Sequence, residues 1–268
     1  MMNGRRVATA SGAILADAAA VDTALIGNSA GLPAMEALFE PKFWAGHGRI
    51  APVGGGRGAA WFIDHGTEQW VLRHYRRGGL MARLCEDRYL WTGEARVRAF
   101  AEFRLLASLA ALHLPVPVPV AARYQRSGPS YRCDLITRRI AGATSLSRVL
   151  AAAPLTDASW RLVGSTIARL HAAGVDHADL NAHNILLDGQ GAVSIVDFDR
   201  GRVRRAGAWA GRNLSRLRRS LVKVSGDLPV DRFSGEAWGC VLAGYAEPAA
   251  EHAAGHAEPA TGHAAADE

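Results

Sequence analysis

Lysine is nearly missing from this chain. Of 31 basic residues among 268, only Lys42 and Lys223 are lysines. A site that elsewhere rests on an ammonium must here rest on arginine, a planar, permanently charged and bidentate donor. Cysteine is scarce too. Cys85, Cys133 and Cys240 are odd in number and widely separated, which excludes a disulfide framework and a thiolate zinc site and fits a reducing compartment. No apolar run approaches the roughly 18 residues of a membrane-spanning helix. Arg5-Arg6 followed by Val7 to Leu15 mimics a signal peptide faintly, but Thr9, Ser11 and Asp17 interrupt it. A short strand around Ala13 to Ala16 is the better reading. From Ala246 to Glu268 the chain is Ala, Glu, His, Pro and Gly almost throughout, which predicts a disordered tail. His252 and His256 in it have ligand spacing on a helix but no third ligand nearby.

What is present is a pair of linked patterns. His177-Ala178-Asp179-Leu180-Asn181-Ala182-His183-Asn184 reads H-x-D-L-x-x-x-N, and thirteen residues after Asn184 comes Asp197-Phe198-Asp199. This is the catalytic-loop pattern of protein-kinase-like phosphotransferases. The chemistry requires one carboxylate to take the proton of a substrate hydroxyl, which assigns the catalytic role to Asp179. It also requires an amide and a second carboxylate to hold metal against nucleotide phosphates, which assigns Asn184 and Asp197. The flanks agree. Trp160 to Gly174 has helical periodicity ending in glycine. Ile185 to Leu187 and Val193 to Val196, joined by Asp188-Gly189-Gln190-Gly191, read as a hairpin from which Asp197 emerges.

A nucleotide site should lie upstream. Gly54, Gly55, Gly56 and Gly58 precede the strand-like Ala60 to Ile63, and their backbone amides could approach phosphate oxygens. A strict G-x-G-x-x-G is not formed, because Ala59 falls where its last glycine would be. Gln69 to Tyr75 reads as the next strand, putting Arg73 in the slot of the phosphate-gripping lysine. A helix over about Glu94 to Ala111 follows, with Phe100, Phe103, Leu106 and Leu109 on one face. Glu102 is its best candidate for an ion pair with Arg73, and Glu94 the alternative. Pro115 to Pro119 is a stiff connector. Leu135 to Gly142, around Ile140, would be the hinge that binds adenine.

Trp70 to Gly79, Asp87 to Gly93, His177 to Asn184 and Asp197 to Gly201 together resemble the bacterial kinases of Kdo, 3-deoxy-D-manno-oct-2-ulosonic acid. The resemblance runs from about Phe39 to Tyr245. It implies an α+β, bilobal, protein-kinase-like fold: a small β-rich N-lobe over 39–141 and a mainly helical C-lobe over 142–245, with 1–38 as an N-terminal extension and 246–268 as the tail. It implies ATP and Mg2+ as cofactors and phosphorylation of the 4-hydroxyl of Kdo on a lipid A precursor. That places the protein peripherally on the cytoplasmic side of the inner membrane. Arginine at position 73 is expected in that family.

One feature fits an anionic, lipid-linked acceptor independently. Arg200 to Lys223 holds nine basic residues and no acidic one. Leu214, Leu217, Leu221 and Val224 form an apolar stripe within it, with Arg212, Arg216, Arg218, Arg219 and Lys223 mainly elsewhere. Such a helix suits an anionic membrane surface, and it equally suits ordinary packing with solvated arginines. No nucleic-acid recognition motif and no obligate protein partner is evident. Two rival readings remain: a kinase of another acceptor (a heptose, an aminoglycoside or a protein serine) and an inactive nucleotide-binding interaction module, against which Asp179, Asn184 and Asp197 stand.

Overall fold

The structure, a computed structural model, describes residues 4–17, 32–46, 49–53, 60–65, 68–76 and 87–254. Gly54, Gly55, Gly56 and Gly58 lie outside them. The first half of the chain builds one antiparallel sheet from β1 (Gly4–Ala8), β2 (Gly12–Asp17), β3 (Ile50–Pro52), β4 (Ala60–His65), β5 (Glu68–His74), β6 (Tyr89–Leu90), β7 (Pro119–Ser127) and β8 (Ser130–Arg138). Its order is β1-β2-β7-β8-β5-β4-β3, with β6 also on β8. The expected strand at Ala13 to Ala16 is present, buried along its length. It pairs with β7 as well as β1, so residues 4–17 form one edge of the sheet. The first six residues of β7 are all buried, as in a strand covered on both faces.

Two apolar layers cover the sheet. On one face, Trp44 and Trp70 meet edge to face beneath the short helices α1 (Leu32–Ala37) and α2 (Pro41–Ala45). On the other lies α3 (Arg98–Ala111), whose Phe100, Phe103, Leu106 and Leu109 are each no more than 2% exposed. The helix starts later than the pattern suggested. Glu94–Arg96 forms a 3-10 turn, and Val97 is extended before the helix begins. The large core under α3 is continuous from Ala13 to Val241, joining sheet and helices.

The second half is mainly helical: α4 (Leu146–Ala152), α5 (Asp157–Ala172), α6 (Trp209–Ser225) and α7 (Gly235–Ala254), with β9 (Thr144–Ser145), β10 (Val175–Asp176), β11 (Ile185–Leu187), β12 (Val193–Ile195) and β13 (Arg202–Val203) in small sheets. Thr156 caps α5 by accepting the Ser159 N–H at 3.2 Å, a start the apolar period alone did not reveal. Helices α5 and α7 cross at backbone contact. A Cβ on Gly164 would sit 2.0 Å from the Val241 carbonyl oxygen, and one on Gly244 2.0 Å from that of Arg161. α7 runs to Ala254, past Ala246 where the sequence placed the start of a disordered tail. Alanine, the strongest helix former, accounts for the extension.

A buried polar network stiffens the middle of the sheet. His74 Nδ1 lies 2.6 Å from Asp134 and its Nε2 3.4 Å from Asp87. Arg123, 5% exposed, donates to Asp134 at 3.0 Å and to Glu40 at 2.7 Å. The hydrogen bond to Asp134 raises the His74 pKa above its usual 6.5, against the opposing effect of burial. A histidine raised on folding stabilises the fold in its charged form. That stabilisation is complete below about pH 6.5 and is lost as pH rises through the raised folded value. The melting temperature should therefore fall between mildly acidic and mildly alkaline pH, and His74→Gln should flatten that dependence. Parallel pH profiles for the two proteins would exclude His74 as the source.

Candidate active site

Arg73 sits near the end of β5, opposite Ala60 on one neighbour and Leu135 on the other. Strand alternation sends Trp70 and Leu72 into one apolar layer and turns Arg73 to the opposite face, towards α3. Its guanidinium pairs with Glu102 and with Asp197, donates to the Tyr75 hydroxyl at 2.9 Å, and lies 4.6 Å from the Tyr75 ring centre. Tyr75 also donates to Glu102. Glu102 is 4% exposed, and its second oxygen accepts the Phe198 N–H at 3.1 Å. Burial works against the charge of Arg73, but Glu102, Tyr75 and Asp197 hold its pKa well above the ordinary value. Burial pushes the Glu102 carboxyl up while Arg73 pulls it down. Burial also opposes the charge of Asp197, and Arg73 prevails, keeping that carboxyl below its usual range. The expected pair Arg73–Glu102 is thus formed. Glu94, the alternative, is occupied elsewhere: Arg6 grips it through two nitrogens at 2.7 and 2.8 Å, and the Tyr124 hydroxyl donates to it at 2.8 Å.

Beyond β12 the chain turns sharply. Asp197 adopts φ 64°, a left-handed conformation that aspartate tolerates better than most residues, and strain of this kind collects at functional sites. The turn lifts the Asp197 carboxylate to Arg73 while Phe198, 1% exposed, goes into the core. Phe198 packs on the His177 ring with centroids 4.7 Å apart.

His177 organises the loop that follows β10. It is 2% exposed, and burial lowers its pKa, leaving a neutral ring. Its Nδ1 accepts the Asp179 N–H at 3.2 Å, so the proton is on Nε2, which donates to the Val196 carbonyl at 3.0 Å. One imidazole therefore ties the Asp179 loop to the strand leading into Asp197. Asn181 and Asn184 both donate to the Asp179 carbonyl, at 2.9 and 3.0 Å. The Asp179 side chain itself stays 56% exposed.

Several neighbours had no signal of their own in the sequence. Arg216 on α6 donates to the Asp179 carboxylate at 3.1 Å, and Asn213, one turn earlier, accepts the His177 N–H at 3.0 Å. Arg98 at the start of α3 grips Asp199 through two nitrogens. Each contact joins side chains far apart in the chain, so local spacing could not find it; the basic run had flagged Arg216 only as part of a surface. Ile140 stands apart from this cluster. It lies two residues beyond β8, past the end at which Arg138 pairs with Trp70, whereas Arg73 pairs with Leu135.

The donors present fit a magnesium ion held with nucleotide. Asn184 spends its Nδ2 on the Asp179 carbonyl, which leaves its side-chain oxygen free as a ligand. Asp197 supplies a carboxylate kept ionised by Arg73. Among the described residues no group of three or more His, Cys, Asp or Glu could hold a metal alone. Two oxygen ligands completed by phosphate and water are what magnesium commonly takes, whereas zinc sites use three or four protein ligands, mostly His and Cys.

Residues 41–245 match the family described as lipopolysaccharide kinase (Kdo/WaaP) family. A protein of Stenotrophomonas maltophilia (strain K279a) named 3-deoxy-D-manno-octulosonic acid kinase is 53% identical over 197 residues, which cover 72% of this chain and 78% of that one. Proteins of the same name from Xanthomonas axonopodis pv. citri (strain 306) and Xylella fastidiosa (strain 9a5c) are 50% and 47% identical. Their matches span 71% and 72% of this chain and 76% and 78% of their own. The chain therefore belongs to the lipopolysaccharide kinase (Kdo/WaaP) family and is a phosphotransferase that acts on a hydroxyl group.

Proposed function

We propose that this protein uses ATP and Mg2+ to phosphorylate the 4-hydroxyl of Kdo carried on a lipid A precursor, in building the lipopolysaccharide core. The observation that carries the reading is the meeting of Arg73, Glu102 and Asp197 beside the Asp179 loop, in a chain about half identical to kinases named for that sugar acid. Asp179 accepts the hydroxyl proton. Arg73 holds nucleotide phosphates in a fork that a lysine could not copy. Asn184 and Asp197 would hold Mg2+, which when bound neutralises charge developing on the phosphates. The sheet-rich part acts as the nucleotide lobe and the helical part as the acceptor lobe of a bilobal enzyme. The sequence pattern assigns Gly54, Gly55, Gly56 and Gly58, which lie outside the described residues, to the phosphates, and Ile140 to the adenine end. The test is mass spectrometry of Kdo-bearing lipid A precursor after incubation with purified protein and Mg-ATP. One added phosphate on the Kdo fragment supports the reading. Transfer to a heptose-bearing acceptor alone would replace it with a heptose kinase.

The same reading places the protein at the cytoplasmic surface of the inner membrane, held by charge. On α6, Leu217 and Leu221 are fully buried and Leu214 and Val224 pack against the core, so the apolar stripe faces inward. Arg212, Arg216, Arg218, Arg219 and Lys223 remain exposed on the helix. No described helix is long and apolar enough to cross a membrane. Binding to vesicles containing anionic lipid should fall steeply between physiological salt and 1 M, as the Debye length shrinks from about 8 to about 3 Å. Replacing Arg212, Arg219 and Lys223 with Glu, leaving Arg216 on Asp179, should release the protein without changing its affinity for ATP. Equal binding to neutral vesicles would remove this role.

A further inference from the structure

The last residue of Asp197-Phe198-Asp199 has no part in the chemistry described above, yet it makes one of the most specific contacts near the site. Arg98 Nε donates to one Asp199 oxygen at 2.7 Å, and Arg98 Nη2 pairs with the other. The side chains are 19% and 24% exposed, sheltered enough for geometry to matter. Arg98 is itself held. Its guanidinium lies 4.7 Å from the Tyr89 ring centre, and its backbone N–H donates to the Tyr131 hydroxyl at 3.2 Å. Arg98 opens α3, and one turn later the same helix carries Glu102, which binds Arg73 and the Phe198 N–H.

Helix α3 is therefore fastened to the Asp197–Asp199 turn at two points, one turn of helix apart. A single contact at Glu102 would let the helix pivot about it. The second contact removes that freedom. Direct contacts then continue from Asp199 through Phe198 to the His177 ring, and from His177 to the Asp179 N–H.

We propose that Arg98 and Asp199 are a positioning pair: a two-pronged ion pair that locks the Glu102 helix against the Asp197 turn, so that Arg73 and Asp197 stand in register for phosphate within the chain itself. The proposal rests on the phosphotransfer reading and not on the identity of the sugar. It differs from a role for Asp199 as a further metal ligand, in which Arg98 would be incidental.

The experiment is a double-mutant cycle on the full-length protein, with Arg98→Ala, Asp199→Asn, their combination, and the swapped pair Arg98→Asp with Asp199→Arg. Turnover, KM for ATP, Mg2+ dependence and melting temperature are read for each. Misplacement on the order of 1 Å can lower turnover by about a hundredfold. Each single variant should therefore lose tenfold or more in kcat, and the combined variant should lose no more than either alone, because the two act as a unit. The swapped pair should recover part of the turnover, and the Mg2+ requirement should stay that of the wild type. Asp199→Asn is nearly isosteric and keeps the test open if an Arg98 variant folds poorly. Additive losses in kcat, or a raised Mg2+ requirement in Asp199→Asn alone, would overturn the pair. Wild-type turnover in the same assay separates the two claims. An inactive wild type removes the underlying reading, while an active one with additive variants removes only the pair.

Discussion

Asp179→Ala should lower turnover by about a hundredfold or more, the scale expected when a general base is removed. The fold should survive, because the carboxylate is more than half exposed and its one side-chain partner among the described residues is the half-exposed Arg216. What holds the loop together is backbone: the Asp179 N–H on His177 and the Asp179 carbonyl under Asn181 and Asn184. None of these contacts needs the side chain. ATP affinity should therefore remain near wild type while kcat collapses, a split that separates a chemical role from a structural one. Asp179→Asn is the sharper variant, since it keeps the shape and loses only the basicity. Near-normal turnover in either would remove Asp179 from the mechanism.

Arg73 should behave differently, because its removal damages structure and chemistry together. Arg73→Ala leaves the Glu102 carboxyl buried without its cation, a defect that can cost about 3–5 kcal/mol. Activity should fall by at least a hundredfold, with weakened ATP binding and a lower melting temperature. Adding Glu102→Gln should restore part of the stability, since the uncompensated charge is gone, but none of the turnover. The double variant should lose less than the two single losses combined. Arg73→Lys is the informative conservative change. Three partners surround the guanidinium, Asp197 on Nη1 and both Glu102 and Tyr75 on Nη2. One ammonium on a flexible stem cannot reproduce that spread. Wild-type activity with lysine would show that charge alone suffices there.

The sequence carried most of the site because its parts obey short-range rules. H-x-D-L-x-x-x-N is a single loop, and Asp197 follows one hairpin later, so spacing alone nominated Asp179, Asn184 and Asp197 as candidates. Arg73 and Glu102 required two elements to be read and paired. That worked because strand alternation and a helical apolar face each point one way. Glu94 shows where it stops: it lies near the same helix, but a 3-10 turn swings it to Arg6, a partner on the first strand. The bidentate Arg98–Asp199 contact and Arg216 on Asp179 join residues 101 and 37 positions apart, and no local pattern encodes them. The strand at Ala13 to Ala16 was legible, but β1 and the place beside β7 were not, because pairing between distant strands is set by the whole sheet.

The most direct measurement is tandem mass spectrometry of the reaction product, run in parallel for the wild type and Asp179→Asn with Kdo-bearing lipid A precursor and Mg-ATP. A single phosphate on the Kdo 4-position with wild type, and an unmodified precursor with the variant, is the predicted outcome. A phosphate on another sugar, or equal product from both proteins, would contradict the account.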